Sequence, residues 1–466
     1  MTPDEPVPPI TETKPIPKPR RRRWSISLRG LMLLVLIVGG LIGWEVNRVA
    51  RIRKAVAVLE RVPKAPPADP DPNDLPRPLP PMGFDSPSAV QVIFGDESAN
   101  GNWLGVPRSA WLPDWLQWAV GEDHFRHVTA LMFSRRPTPE DWDAIETLGT
   151  VQGLDFSEVD LADDDLSRLP ICWDLRGLSL FDTKITDKAL AGVAGLRNLR
   201  SLDLRLTKVS DAGLAPLANL TQLMELQLSF GAGTDSGLFH LQGLKNLRKL
   251  DVDGSNNEVS DLGLSYLRGM TQLEELSFNA RHVTDKGIAV LVELPRLESL
   301  EIDPAFPKVA EAISLSRAGV ELLGRFGHLE TLHLTALMAV DDTWLESIGR
   351  LTRLRHLVIG GDKITDAGLT HLSALTNLEE LRISSPKVTD AGLKHLHPLT
   401  RLMNLSFYAR IGDDGIASIR TALPALKRVN NARWPNDGDP MVLAPMPMPP
   451  TPVRVLRAPG RVAPAP

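Results

Sequence analysis

Three patterns in this 466-residue chain have residue types and spacing suited to chemistry. Gly231-Ala-Gly233-Thr-Asp-Ser-Gly237 stands where a strand passes into a helix, as a loop that cradles a dinucleotide phosphate does. Its spacing is G-x-G-x-x-x-G rather than G-x-G-x-x-G, and Gly237 falls where Gly213 and Gly287 fall in neighbouring copies of the same pattern. His371 and His395 are 24 residues apart with His397 close by, a spacing that stacks them on adjacent helices as a metal pair. Other copies carry polar residues at that place, which a solvated helix face needs anyway. Cys172, the single cysteine, takes an apolar position that Leu196 fills 24 residues later, with no basic group patterned to activate it. No Gly-x-x-x-x-Gly-Lys-[Ser/Thr], His-Glu-x-x-His or Gly-x-Ser-x-Gly occurs. The expectation is a chain without catalytic, cofactor-binding or metal-binding residues, and one cysteine excludes a disulfide scaffold. Trp142, Trp173 and Trp344 are expected to pack in or beside the core.

The elements around these residues repeat. Aligned Leu-x-Leu pairs centre on Leu131, Leu154, Leu178, Leu202, Leu226, Leu250, Leu276, Leu300, Leu332, Leu357, Leu381, Leu405 and Val429. The intervals are 23, 24, 24, 24, 24, 26, 24, 32, 25, 24, 24 and 24 residues, a register that chance does not hold over 300 residues. In a good copy, Leu202-Asp-Leu204 alternates as a short half-buried strand, and Leu214, Leu217 and Leu220 follow at helical spacing. Between them stands Ser or Thr before Asp: Thr186-Asp187, Ser210-Asp211, Thr234-Asp235, Ser260-Asp261, Thr284-Asp285, Thr365-Asp366 and Thr389-Asp390. That pair suits a helix N-cap followed by an acid facing the positive end of the helix dipole.

The pattern resembles the leucine-rich-repeat family, specifically the 24-residue Thr-Asp-Ala-Gly-Leu type of bacterial repeat proteins and of the adaptor repeats of F-box proteins. It covers roughly 128–431. The resemblance implies an α/β, right-handed solenoid or horseshoe, with a parallel sheet on the concave face and helices on the convex one. Thirteen strands at about 4.8 Å would give an inner arc of roughly 60 Å. Two departures stand out: eight extra residues after Ile302, around Asp303-Pro304-Ala305-Phe306-Pro307, and Arg317 where Asp is expected, which predicts a distorted copy.

Charge and proline are distributed unevenly. Residues 1–64 carry a net +8 and residues 65–434 a net −14, so a general nucleic-acid surface is excluded. Of 39 prolines, 27 lie in 1–20, 63–87 and 435–466. The expected organisation is a Pro/Arg-rich arm at 1–23, a membrane helix at 24–46, a basic juxtamembrane helix at 47–62, a Pro-rich stalk at 63–87, a Trp-rich N-terminal cap at 88–127, the repeats at 128–434 and a Pro-rich tail at 435–466. The apolar run Gly30 to Trp44 is 15 residues long, and Trp24 and Trp44 would sit about 30 Å apart on a helix, at the two interfaces. Ala55-Val56-Ala57 lies too far beyond it to serve as a signal-peptide cleavage site, so Trp24 to Val46 is expected to act as an uncleaved single-pass anchor with the repeats on the extracytoplasmic side.

Alternation places the residues inside and just after each Leu-x-Leu on the concave face. Asp203, Asp251, Asp253, Glu301 and Asp303 form an expected negative band in the middle of the arc, with Arg205, His333, Arg382 and Tyr408 among its neighbours. The resulting expectation is a non-enzymatic, membrane-anchored protein that binds a basic or amine-bearing protein or envelope component, without cofactors or nucleic acid. The alternative is a cytoplasmic F-box-like adaptor that recruits clients to another machine.

Overall fold

The computed structural model describes residues 47–48, 50–60, 90–94, 128–149, 151–228, 233–252, 259–280, 283–304, 313, 315–334 and 340–433. The chain divides into two compact units, Met1–Arg53 and Lys54–Pro466. Of the first, residues 47, 48 and 50–53 are described, and they are helical. The membrane span expected over 24–46 lies outside the described residues, and the membrane placement that rested on it is corrected. Among the described residues no helix is long and apolar enough to cross a membrane. The physical reason is length and charge: a 15-residue apolar run falls short of the roughly 20 that a bilayer core needs, and Arg48, Arg51 and Arg53 follow in the described helix.

The second unit is an α/β solenoid built on one open sheet. Its strands are β1 (Val90–Phe94), β2 (Val128–Phe133), β3 (Gly153–Asp155), β4 (Gly177–Ser179), β5 (Ser201–Leu204), β6 (Glu225–Leu228) and β7 (Lys249–Val252). They continue as β8 (Glu275–Ala280), β9 (Ser299–Pro304), β10 (Thr331–Leu334), β11 (His356–Gly360), β12 (Glu380–Thr389), β13 (Asn404–Arg410) and β14 (Arg428–Arg433). Spatial order follows chain order throughout. From β2 onward all pairs are parallel, and the central residues align, Leu202 with Leu226, Leu300 with Leu332 and Leu405 with Val429 among them. The eight extra residues after Ile302 therefore leave the β9–β10 register intact. β1 runs antiparallel to β2 and covers its outer edge, while the Trp111–Trp118 stripe of the expected cap lies outside the described residues.

Each repeat turns one leucine face inward. Leu202, Leu226, Leu250 and their counterparts are almost fully buried, and each contributes on the order of 1.5–3 kcal/mol. Several return segments are 3-10 helices rather than α-helices, as in Asp211–Asn219, where Pro216 lacks the N–H that an α-turn needs. At the N-terminal end Phe133 stacks on Phe156 with centroids 4.8 Å apart, and Trp142 packs beside them. Trp344 is buried as expected; Trp173 is not, being 66% exposed on the turn after Asp163–Ile171.

What joins one repeat to the next is a carboxylate. The Asp expected to face its own helix dipole reaches instead to the following repeat. There it accepts two hydrogen bonds from the Thr or Ser that caps the next helix. Thr365 N–H and hydroxyl donate to Asp342 at 2.8 and 2.7 Å, and Thr389 to Asp366 at 2.8 and 2.6 Å. The same latch joins Asp163 to Thr186, Asp187 to Ser210, Asp211 to Thr234, Asp235 to Ser260, Asp261 to Thr284 and Asp285 to Ser316. The capping hydroxyl meanwhile accepts from its own helix, as Thr389 does from Ala391 N–H at 3.3 Å. In most copies the residue two after the Asp is a glycine that lies against the carboxylate arriving from the preceding repeat, with Ala189 in that place where Asp163 meets Thr186. A Cβ on Gly392 would stand 2.4 Å from Asp366 Oδ1, and one on Gly237 2.4 Å from Asp211 Oδ1. Gly237 thus belongs to the packing of the repeat and not to a phosphate loop.

Asp366→Ala is expected to cost about 2–4 kcal/mol in urea unfolding, because two donors lose a charged acceptor. Gly392→Ala should also destabilise. In the double variant the clash disappears with the carboxylate, so its cost should fall below the sum of the singles.

Candidate functional site

The sheet face opposite the helices carries side chains at three register positions: the first residue of each strand, the residue after the central leucine, and the residue two further on. The structure distributes the expected site residues along it in different states. Asp203 is buried, and Arg205 grips its carboxylate through Nε at 3.0 Å and Nη2 at 2.7 Å, with Arg205 N–H donating at 3.0 Å. The guanidinium lies over the Phe181 ring, 5.2 Å from its centroid. Asp251 is half-buried in β7 between Gln227 and Ser277. Asp253 lies outside the described residues, and of Asp303 only the backbone, in β9 beside Asn279, is described. Glu301 and His333 are neighbours on β9 and β10, with Oε1 and Nδ1 3.1 Å apart. Arg382 turns back to Glu380 at 2.7 Å, and Tyr408 is half-buried next to Ser384. Glu301 and His333, and Asp203 and Arg205, are therefore brought together as pairs.

A group of carboxylates not among the expected residues lies where β8, β9 and β10 begin. Glu274, Glu298 and Glu330 immediately precede these strands, and Glu275 opens β8. With Glu301 they make five carboxylates in or immediately before three adjacent strands whose described residues include no Lys or Arg. The nearest cations flank the group: Lys249 meets Glu275 at 3.2 Å, Arg248 meets Glu274 at 3.6 Å, and Arg355 meets Glu330 at 3.7 Å. These pairs are 29–45% exposed and worth little individually. The missed signal was the residue type one and two places before each Leu-x-Leu, a register position as regular as those that were read.

His333, by hydrogen bonding, holds the Glu301 carboxyl below the usual carboxylate range; burial opposes this, and the charges of His333 and Lys249 reinforce it. Cys172 is buried among apolar groups that push its thiol up to about 12, so it is no nucleophile at neutral pH. Among the described residues no group of three His, Cys, Asp or Glu is placed to hold a metal ion. On the helix side a cavity of about 270 Å³ is lined by Asp235, Ser236, Phe239, His240, Leu262 and Tyr266. Phe239 and Leu262 are exposed there, and the Phe239 and Tyr266 rings meet edge to face at 5.4 Å.

Residues 195–218 match the family described as Leucine Rich repeat. Among solved structures, an internalin from Listeria monocytogenes is similar at 21% identity and a TM-score of 0.43, over 66% of this chain and 87% of that one. A leucine-rich-repeat protein of Leptospira interrogans is similar at 14% identity and a TM-score of 0.35, over 62% of this chain and 74% of that one. No curated protein matches the chain.

A carboxyl whose pKa is lowered on folding stabilises the fold above its unfolded value, about 4.3, and loses that contribution as pH falls through the lowered value. Carbon-13 titration of Glu301 should accordingly give a midpoint below 4.3, and His333→Ala should move it upward. An unmoved midpoint would remove the pair from the account.

Proposed function

We propose that the chain is a non-enzymatic binding protein whose sheet face receives a basic, Lys- or Arg-bearing segment of a protein partner. The observation that carries this reading is the run of Glu274, Glu275, Glu298, Glu301 and Glu330, two carboxylates in β8 and β9 and three immediately before β8, β9 and β10, with no Lys or Arg among the described residues of these strands. Neighbouring strands lie about 4.8 Å apart, so an extended segment crossing them meets a new carboxylate at each step. The flanking Lys249, Arg248 and Arg355 hold their carboxylates in partly exposed pairs, which an incoming cation can replace at small cost. The parallel sheet keeps these groups at fixed spacing, so little ordering is needed on binding.

A fluorescein-labelled dodecapeptide of alternating Lys and Ser is the probe, followed by anisotropy at low and high salt. Binding should weaken as salt rises. Glu298→Lys with Glu301→Lys should weaken it by at least about tenfold, since two attractions become repulsions. The same charge change on the helix side, Glu321→Lys with Glu346→Lys, should leave it unaltered. Equal loss in both variants would show attraction to net charge alone and overturn the assignment to the sheet face.

A further inference from the structure

The carboxylate latch is continuous from Asp163 to Ser316 and again from Asp342 to Thr389. Between these runs one junction lacks it, and all three of its positions are changed together. Arg317 stands where the accepting Asp belongs, Asp341 where the donating Thr or Ser belongs, and Trp344 where the glycine belongs. Arg317 turns along its own helix to Glu321 at 3.6 Å. Asp341 caps its own helix, accepting from Thr343 N–H at 3.0 Å and from its hydroxyl at 2.6 Å. Among the described residues no carboxylate enters from the preceding repeat, and Trp344 is buried in this repeat where every latched glycine would put a Cβ against an Asp oxygen.

The other edge of the same junction stays tied. Glu298 carbonyl accepts from Glu330 N–H at 2.7 Å and Thr331 N–H at 2.9 Å, and β9 and β10 pair in register. Glu301 and His333 also meet across it. The junction is held where its strands begin and lacks the latch where its helices begin. A buried indole packs without a required direction, whereas two charge-assisted hydrogen bonds to one carboxylate fix both distance and angle. In a solenoid each repeat is restrained only by its neighbours, so one junction of different character sets where the array bends.

We propose that this junction, between the helices Arg317–Leu323 and Asp342–Ile348, is a hinge built into the solenoid. It joins two latched blocks and lies among the acidic strands, since β9 leads into the last helix of the first block and β10 into the first helix of the second. Bending there changes the angle between the carboxylates at β8 and β9 and the basic side chains Arg355 and Arg382 of the second block. This inference concerns motion of the fold and stands whether or not a basic segment is the partner.

The test is a distance distribution by spin-label resonance on the full chain, with the buried Cys172 left in place. Labels at Lys286→Cys and Ala367→Cys span three junctions including the unlatched one; labels at Ala212→Cys and Lys286→Cys span three latched ones. All three sites are exposed and occupy the same helix position. The first pair should give the broader distribution, and the repaired chain Arg317→Asp, Asp341→Thr, Trp344→Gly should narrow it to the width of the second. In parallel, amide exchange of 342–346 in the unrepaired chain should be at least about tenfold faster than that of 366–370, the loss expected for one charge-assisted hydrogen bond. Equal widths for the two pairs with equal exchange at the two helix starts would overturn the hinge, without any variant having to fold differently.

Discussion

The structure depends on a carboxylate that serves two repeats at once. Each latch Asp begins one helix and ends its reach on the cap of the next, so the bond that closes a helix end also sets the distance between neighbours. A charged acceptor with two donors is directional and part-buried, which makes it stronger than a neutral bond and less tolerant of displacement. The leucine face supplies most of the driving force, but apolar burial alone would allow the layers to slide. The glycine that follows most of these Asp residues is the steric counterpart of this bond, leaving room for the carboxylate that enters.

Because the latch and the leucines consume the inner face and the helix starts, the sheet face is where the sequence varies in charge. Some of that charge is spent locally: Asp203 closes on Arg205 and Arg382 on Glu380. The remainder concentrates where β8, β9 and β10 begin, next to the one junction whose latch is missing. The acidic strands and the altered junction lie side by side because one interval, that of 32 residues, departs most from the repeat, and its helix begins with Arg317.

Much of this was legible in the residues. The Leu-x-Leu centres named the aligned position of every strand from β2 to β14, because a period-two alternation repeated at a fixed interval leaves one register. Ser or Thr before Asp was legible as a helix cap. Its second role was not, since the partner lies 23 residues away and becomes a neighbour only when repeats stack. Trp173 was misjudged because an aromatic in a turn has no periodicity to indicate its side, whereas Trp344 sits inside a helical pattern and is buried. The membrane placement rested on an apolar run too short to span, weighed by its flanking tryptophans.

By itself the sequence determined the architecture: a stack of strand-turn-helix units with a leucine core. Those properties are local or periodic, and so each copy reports them independently. Only the tertiary structure decided which charges survive on the face, since Asp203 and Glu301 look alike in sequence while one is buried under Arg205 and the other stands beside His333. It also decided that Arg317, Asp341 and Trp344 belong to one event. Their common cause is an interface between successive repeats, and an interface exists only once the chain has stacked.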